Sequence, residues 1–341
     1  MAGEGALGLS CALALADAGC RVTVCDPQTV GQASAVAAGM LAPVFEAALE
    51  PEIAPALDLL LAARNLWPAL AGRTGAFLDR SGAVAVGAEP WLAGVSGALG
   101  RLGFRPTELG RASLDELAPG LAQDLGRGLL VREDWRVEPA AALLALRRAT
   151  EAAGARFSNR PVTARGKADW LVIATGADQA LADVAPELGR VAPIKGQILH
   201  YAEVGGPRVS LRTEGAYAVA APGGLAVGAT MEPGRDDTDV DPAALAPLSK
   251  TAGRLFPALA SAAFGTAAGV RAATPDGLPM VGLSSAPGVV LAVGARRNGW
   301  LLAPLVAKVV ATCVTGRDPG PYAARLDPGR FAASGGLGEA R

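Results

Sequence analysis

Near the start of the chain Gly3, Gly5 and Gly8 open a run of Ala and Leu that ends in Arg21-Val-Thr-Val-Cys-Asp26. The spacing Gly-x-Gly-x-x-Gly lets a backbone turn tightly, approach a pyrophosphate and pack a helix on a sheet. Asp26 stands at the end of the next strand, where a carboxylate bonds a ribose hydroxyl. Among 44 glycines a bare triplet is also what an ordinary glycine-rich turn looks like. What favours a dinucleotide is the order of turn, helix, β-branched strand and acid, and Asp26 favours an unphosphorylated 2′ position, hence FAD or NAD over NADP. Two features run against it. Only Met1 and Ala2 precede Gly3, so the sequence predicts that the first strand of the unit is missing, and Glu4 sets a carboxylate beside the phosphate position.

Other stretches carry chemistry with a plainer reading beside it. Arg297-Asn298-Gly299 opens a long apolar helix, a site for negative charge because free amides and the helix dipole point at whatever lies there. Ala174-Thr175-Gly176 ends a buried strand in a turn that brings backbone up to a nucleotide or simply terminates the strand. The small, nearly uncharged segment 31–43, with Ser34, Gly39 and Met40, can lie against a flat cofactor or form a tight loop. Arg271 is suited to a buried carboxylate, which a guanidinium meets with two parallel bonds, and equally to a structural ion pair. His200 reads as structural or exposed, with no partners for a metal.

The elements that must position these residues follow from periodicity. A helix is predicted over residues 51–70 and another from Pro139 to Ala153, with Pro139 in its first turn. Short strands and helical pieces between about 75 and 137 suggest departure into a second domain. Alternating strands between 191 and 270, among them 216–219 and 224–231, predict that domain's antiparallel sheet. The expected fold is a Rossmann-like dinucleotide-binding domain of residues 1–78, 137–194 and 267–330, with a substrate domain of 79–136 and 195–266 on a mixed or antiparallel sheet. Residues 331–341 are expected to be a disordered tail.

With 341 residues, 51% of them hydrophobic, the chain can bury sizeable cores and is not a disordered protein. Its net charge of -1 and scattered Lys and Arg show no footprint for nucleic acid or acidic lipid. Cys11, Cys20, Cys25 and Cys313 lack metal-ligand spacing and read as reduced thiols. The run from Trp300 to Val314 contains Pro304 and Lys308 and is too short to span a bilayer, and no signal peptide is evident; the expectation is a cytoplasmic protein.

Taken together, Gly3-x-Gly5-x-x-Gly8, Asp26, Ala37-Ala-Gly-Met-Leu-Ala-Pro43, Ala174-Thr-Gly176, Val227-Gly-Ala-Thr-Met231, Gly269-Val-Arg271, Thr274-Pro-Asp-Gly-Leu-Pro279 and Arg297-Asn-Gly-Trp-Leu-Leu-Ala-Pro304 resemble the D-amino-acid-oxidase-type flavoproteins. Within them the chain is most similar to the glycine oxidases of thiamine biosynthesis. The resemblance covers nearly the full length. It implies a bound FAD and oxidation of glycine, sarcosine, D-alanine or a similar small amino acid to the imine. Oxygen then takes the electrons to give hydrogen peroxide, and the imine feeds thiazole synthesis.

By the same resemblance Arg271 holds the substrate carboxylate, Tyr217 adds a hydroxyl bond to it, and Met231 lines the substrate cavity. Arg297 with the Asn298 and Gly299 amides faces the flavin's pyrimidine edge. Outside the resemblance, Tyr217 in its apolar strand and Met231 also read as core residues. Three features depart from the family pattern: the opening strand, Ala295-Arg296 where the family commonly has a His and an aromatic, and a short stretch from Phe157 to Asp169. A dehydrogenase with another acceptor and a flavin-free family member acting as a partner protein remain open, as does homo-oligomerisation.

Overall fold

The computed structural model describes residues 1–27 and 32–335, with side chains up to 331. Gly31, at the head of the segment expected to face the cofactor, lies outside them, as do 336–341 of the expected tail. Over Pro328–Gly335 the chain forms a 3-10 turn, and the Arg330 guanidinium lies 4.2 Å from the Phe331 ring centre.

Two sheets organise the chain. In the first, Leu171–Ile173 pairs in parallel with Val289–Val293, which pairs antiparallel with Met280–Leu283; Thr23–Cys25 pairs in parallel with Arg156–Ser158. The strand expected to be missing proves to be present as a stub. Ala2 bridges Cys25 on one side and Ile173 on the other, both in parallel. Its N–H donates to Val172 O at 2.8 Å and its carbonyl accepts from Ala174 N at 2.8 Å. On the other side Cys25 N donates to Met1 O and Gly3 N to Cys25 O, each at 2.9 Å. Two residues thus join both halves of the sheet, because the bonds of a parallel ladder alternate sides from one residue to the next.

This sheet is covered by helices Ala6–Asp17, Pro139–Ala152, Leu57–Thr74 and Gly299–Thr315. The first and last are apolar nearly all round because they pack on each other as well as on the sheet; Leu9, Leu13, Leu301, Leu302 and Val306 are buried together. The Leu57–Thr74 helix starts later than the sequence suggests, after a 3-10 turn at Ala54–Ala56, and stops at Gly75, whose φ of 74° suits a left-handed cap.

The second sheet has nine strands. From one side they run Gly265–Ala273, Ala192–Ala202, Gly224–Gly228, Ala216–Ala221, Ser210–Thr213, Ala83–Val86, Arg127–Val131 and Thr107–Gly110, with Glu232–Pro233 also paired to Ala192–Ala202. Its one parallel pair is Ser210–Thr213 with Ala83–Val86. Helix Pro242–Leu255, capped by the Asp241 carboxylate, buries Leu245, Leu248 and Leu255 against one face. Strands Ala192–Ala202 and Gly265–Ala273 pair along their length in this sheet and run across the expected limits at 194 and 267. The opposite face of the sheet is the floor of a cavity.

Candidate active site

Directly paired residues in a sheet share a face, and alternate residues of a strand point to opposite faces. Tyr217 pairs with Arg212 on one neighbour and Gly228 on the other; Gly228 pairs with Ile198, and Ile198 with Ala267. Arg271 stands four residues beyond Ala267 and so joins the same face, as do the paired Gly196 and Gly269.

The glycines make a trough for the larger side chains. A Cβ on Gly196 would stand 2.1 Å from an Arg271 guanidinium nitrogen, and one on Gly228 would stand 2.2 Å from the Tyr217 hydroxyl oxygen. Arg271 Nη1 donates to Thr230 O at 3.2 Å and approaches Lys195 O at 3.5 Å and Met231 Sδ at 3.4 Å. Thr230 is itself fixed, donating its N–H to Gln197 O at 3.1 Å and accepting from Gln197 N at 2.8 Å. Burial draws the Arg271 pKa below the ordinary guanidinium value, and burial raises that of Tyr217 against the pull of Arg271, Arg212 and Arg297.

The cavity above this floor has a volume of about 460 Å³. Its roof is made by residues 33–42, the Pro43–Leu49 helix and the turn 296–300. Ser34, Gly39, Met40, Tyr217, Met231, Arg271, Arg297, Asn298 and Gly299 all line it, so nine of the sequence-predicted residues meet in one place. Gly39 has φ 70°, and a Cβ there would meet Val137 O at 2.1 Å. Asn298 and Gly299 open the Gly299–Thr315 helix, whose first turn carries no acid.

Arg297, in the cavity lining beside Asn298 and Gly299, is held by two carboxylates. Its guanidinium is 2.8 Å from Glu46 Oε2 and 2.9 Å from Glu50 Oε1. Arg212 reaches Glu46 Oε1 at 3.0 Å, and Arg296, with φ 49°, reaches Glu50 Oε2 at 3.2 Å. Burial opposes ionisation of Glu46, but Arg297 and Arg212 outweigh it and hold its carboxyl below the ordinary glutamate range. Beneath it, Asp134 accepts from Val44 N and Phe45 N, both at 2.9 Å, at the start of the Glu46 helix; burial pushes its pKa up to about 7.

The remaining predicted residues lie outside the cavity lining. Gly3 has φ 101°, and a Cβ on it would meet Ala174 O at 2.3 Å; one on Gly8 would meet Gly3 O at 2.1 Å. The Asp26 carboxylate accepts from Glu4 N at 2.7 Å. The Glu4 side chain is paired with Arg147, which answers the repulsion expected at the phosphate position. Ser34 Oγ accepts from Ala6 N at 3.0 Å, tying the cavity roof to the glycine turn. Thr175 Oγ1 donates to Asp178 O at 3.1 Å, and Gly176 has φ 65°. His200 pairs in the large sheet away from the cavity lining. No helix of the described residues is long and apolar enough to cross a membrane.

A glycine turn at a helix start, an acid at the next strand end and an adjoining cavity under a second helix start form an elongated cofactor site of the FAD type. The FAD-dependent oxidoreductase family profile matches residues 2–312, and the chain belongs to that family. Its cofactor is FAD. Over 363 residues it is 29% identical to the bifunctional protein ThiO/ThiG of Synechocystis, covering 96% of this chain and 53% of that one. It is 30% identical over 351 residues to the tRNA 5-methylaminomethyl-2-thiouridine biosynthesis bifunctional protein MnmC of Maricaulis maris, covering 97% and 54%. The chain thus spans about half the length of these relatives. A crystal structure of glycine oxidase from Geobacillus kaustophilus superposes with a TM-score of 0.81 at 27% identity, covering 96% of both chains.

The glycine turn, the Arg271 strand and the Arg297 helix start were legible from sequence. Glu46, Glu50, Arg212 and Gly196 carried no local signal. Each is defined by a partner far away in the chain.

Proposed function

We propose that this protein oxidises the amine of glycine or a similar small amino acid, such as sarcosine or D-alanine, to the imine. Electrons pass to oxygen to give hydrogen peroxide, and the imine supplies thiazole synthesis for thiamine. Bound FAD supplies the hydride acceptor. The reading rests chiefly on Arg271, a half-buried guanidinium laid in a glycine trough with no carboxylate partner among the described residues.

Arg271 grips the substrate carboxylate with two parallel bonds, and Tyr217 donates its hydroxyl to the same group. That fixes the α-carbon by its acid end, so the α-hydrogen is presented in one direction only. Met231, touching Arg271 through its sulfur, bounds the room beside the α-carbon and favours small side chains. The described cavity lining holds neither histidine nor lysine, in keeping with an amine that enters neutral. The helix start at Asn298 and Gly299 favours negative charge at the adjoining edge of the cofactor.

The reading is tested by adding glycine, sarcosine and D-alanine to the flavin-loaded protein. Bleaching of the yellow flavin without air, followed by peroxide release in air, is the expected outcome. Bleaching without peroxide would move the protein to a dehydrogenase with another acceptor. No bleaching by any of the three would remove the proposal.

A further inference from the structure

The cavity holds more positive charge than one carboxylate requires. Arg212, Glu46, Arg297, Glu50 and Arg296 form a chain of ion pairs in which three guanidiniums face two carboxylates. Arg271 stands apart as a fourth cation, its contacts being two carbonyls and a thioether. Arg212 is 7% exposed and lines the cavity, and its Nε has no partner among the described residues. The Nε of Arg297 is likewise unpartnered. Glu46 is the one acceptor that the Arg212 guanidinium has among the described residues, so a cation in the cavity wall keeps donors for a ligand carboxylate.

Placement separates this donor from Arg271. The strands carrying the two arginines are four intervals apart in the sheet, which at the usual strand spacing is roughly 19 Å between backbones. Both side chains stand on the cavity face, and both act on Tyr217 between them. We propose that the cavity has a second acid-binding subsite at Arg212, across Tyr217 from Arg271, and that its preferred ligand is a small amine carrying two carboxylates. The oxidation of that amine rests on the function proposed above; recognition of the two acids does not.

Binding of non-reacting acids to the flavin-loaded protein, followed through the flavin spectrum and by calorimetry at fixed ionic strength, tests the subsite. Malonate, succinate and glutarate are compared with propionate, butyrate and valerate, their partners in carbon count. At least one dicarboxylate is expected to bind tenfold or more tightly than its partner. A smaller ratio for all three overturns the proposal. The double exchange Arg212→Gln with Glu46→Gln removes one charge of each sign and keeps the cavity's net charge, and it is expected to bring that ratio below threefold. A ratio that stays above threefold would assign the preference to the general field and overturn the subsite. Because binding is read without turnover, a dicarboxylate preference in a protein that does not oxidise glycine would sink the proposed reaction and leave the subsite standing.

Discussion

Gly196 and Arg271 occupy one another's space: the side chain of any other residue at 196 would begin 2.1 Å from an Arg271 guanidinium nitrogen. The arginine lies flat on the neighbouring strand because that strand has no side chain there. Gly196→Ala is therefore expected to displace the guanidinium while leaving the glycine turn at residues 3–8 untouched. Flavin content should remain that of the parent, and the Michaelis constant for glycine should rise at least tenfold. Arg271→Leu should go further, since losing one partner of a buried charged contact costs about 2–5 kcal/mol. Steady-state kinetics on flavin-loaded protein checks both, and an unchanged Michaelis constant in either variant removes Arg271 from the substrate.

Gly8 faces Gly3 in the same way at the other end of the site. A methyl group at residue 8 would stand 2.1 Å from Gly3 O, so the turn must open where the backbone approaches the pyrophosphate. Gly8→Ala is expected to fold and to lose most of its flavin during purification. The ratio of flavin to protein absorbance reads this directly, and parental flavin content would show that the turn does not carry the phosphates.

Asp134 predicts a pH dependence. Its folded pKa of about 7 lies above the value of about 3.9 in an unfolded chain, so the folded state holds the proton more tightly. Its contribution to stability is complete below about pH 4 and declines as pH rises towards 7. Relative to Asp134→Asn, which cannot ionise, the parent protein should lose stability between pH 5 and 7. Denaturant titrations of both proteins at those two values measure it, and parallel behaviour would mean that Asp134 is ionised throughout.

How much could be read from the sequence depended on how local the determinant was. Gly3, Gly5 and Gly8 are recognisable because their spacing is itself the turn, and Asn298-Gly299 because a helix start is a short-range event. Met1 and Ala2 were too few to suggest a strand. Ladder bonding to Cys25 on one side and to Val172 and Ala174 on the other made them one all the same. Glu46 has no neighbour in the sequence that marks it. Its meaning lies in Arg212 and Arg297, 166 and 251 positions away in the chain, where no periodicity reaches. Arg297 itself was legible as a cation at a helix start, but the acids that hold it were not.

Glu46 also links the two halves of the protein, because Arg212 belongs to the large sheet and Arg297 to the turn that opens the helix covering the small one. Prising the halves apart would break both ion pairs of one carboxylate at once, so the jaws are latched from the inside.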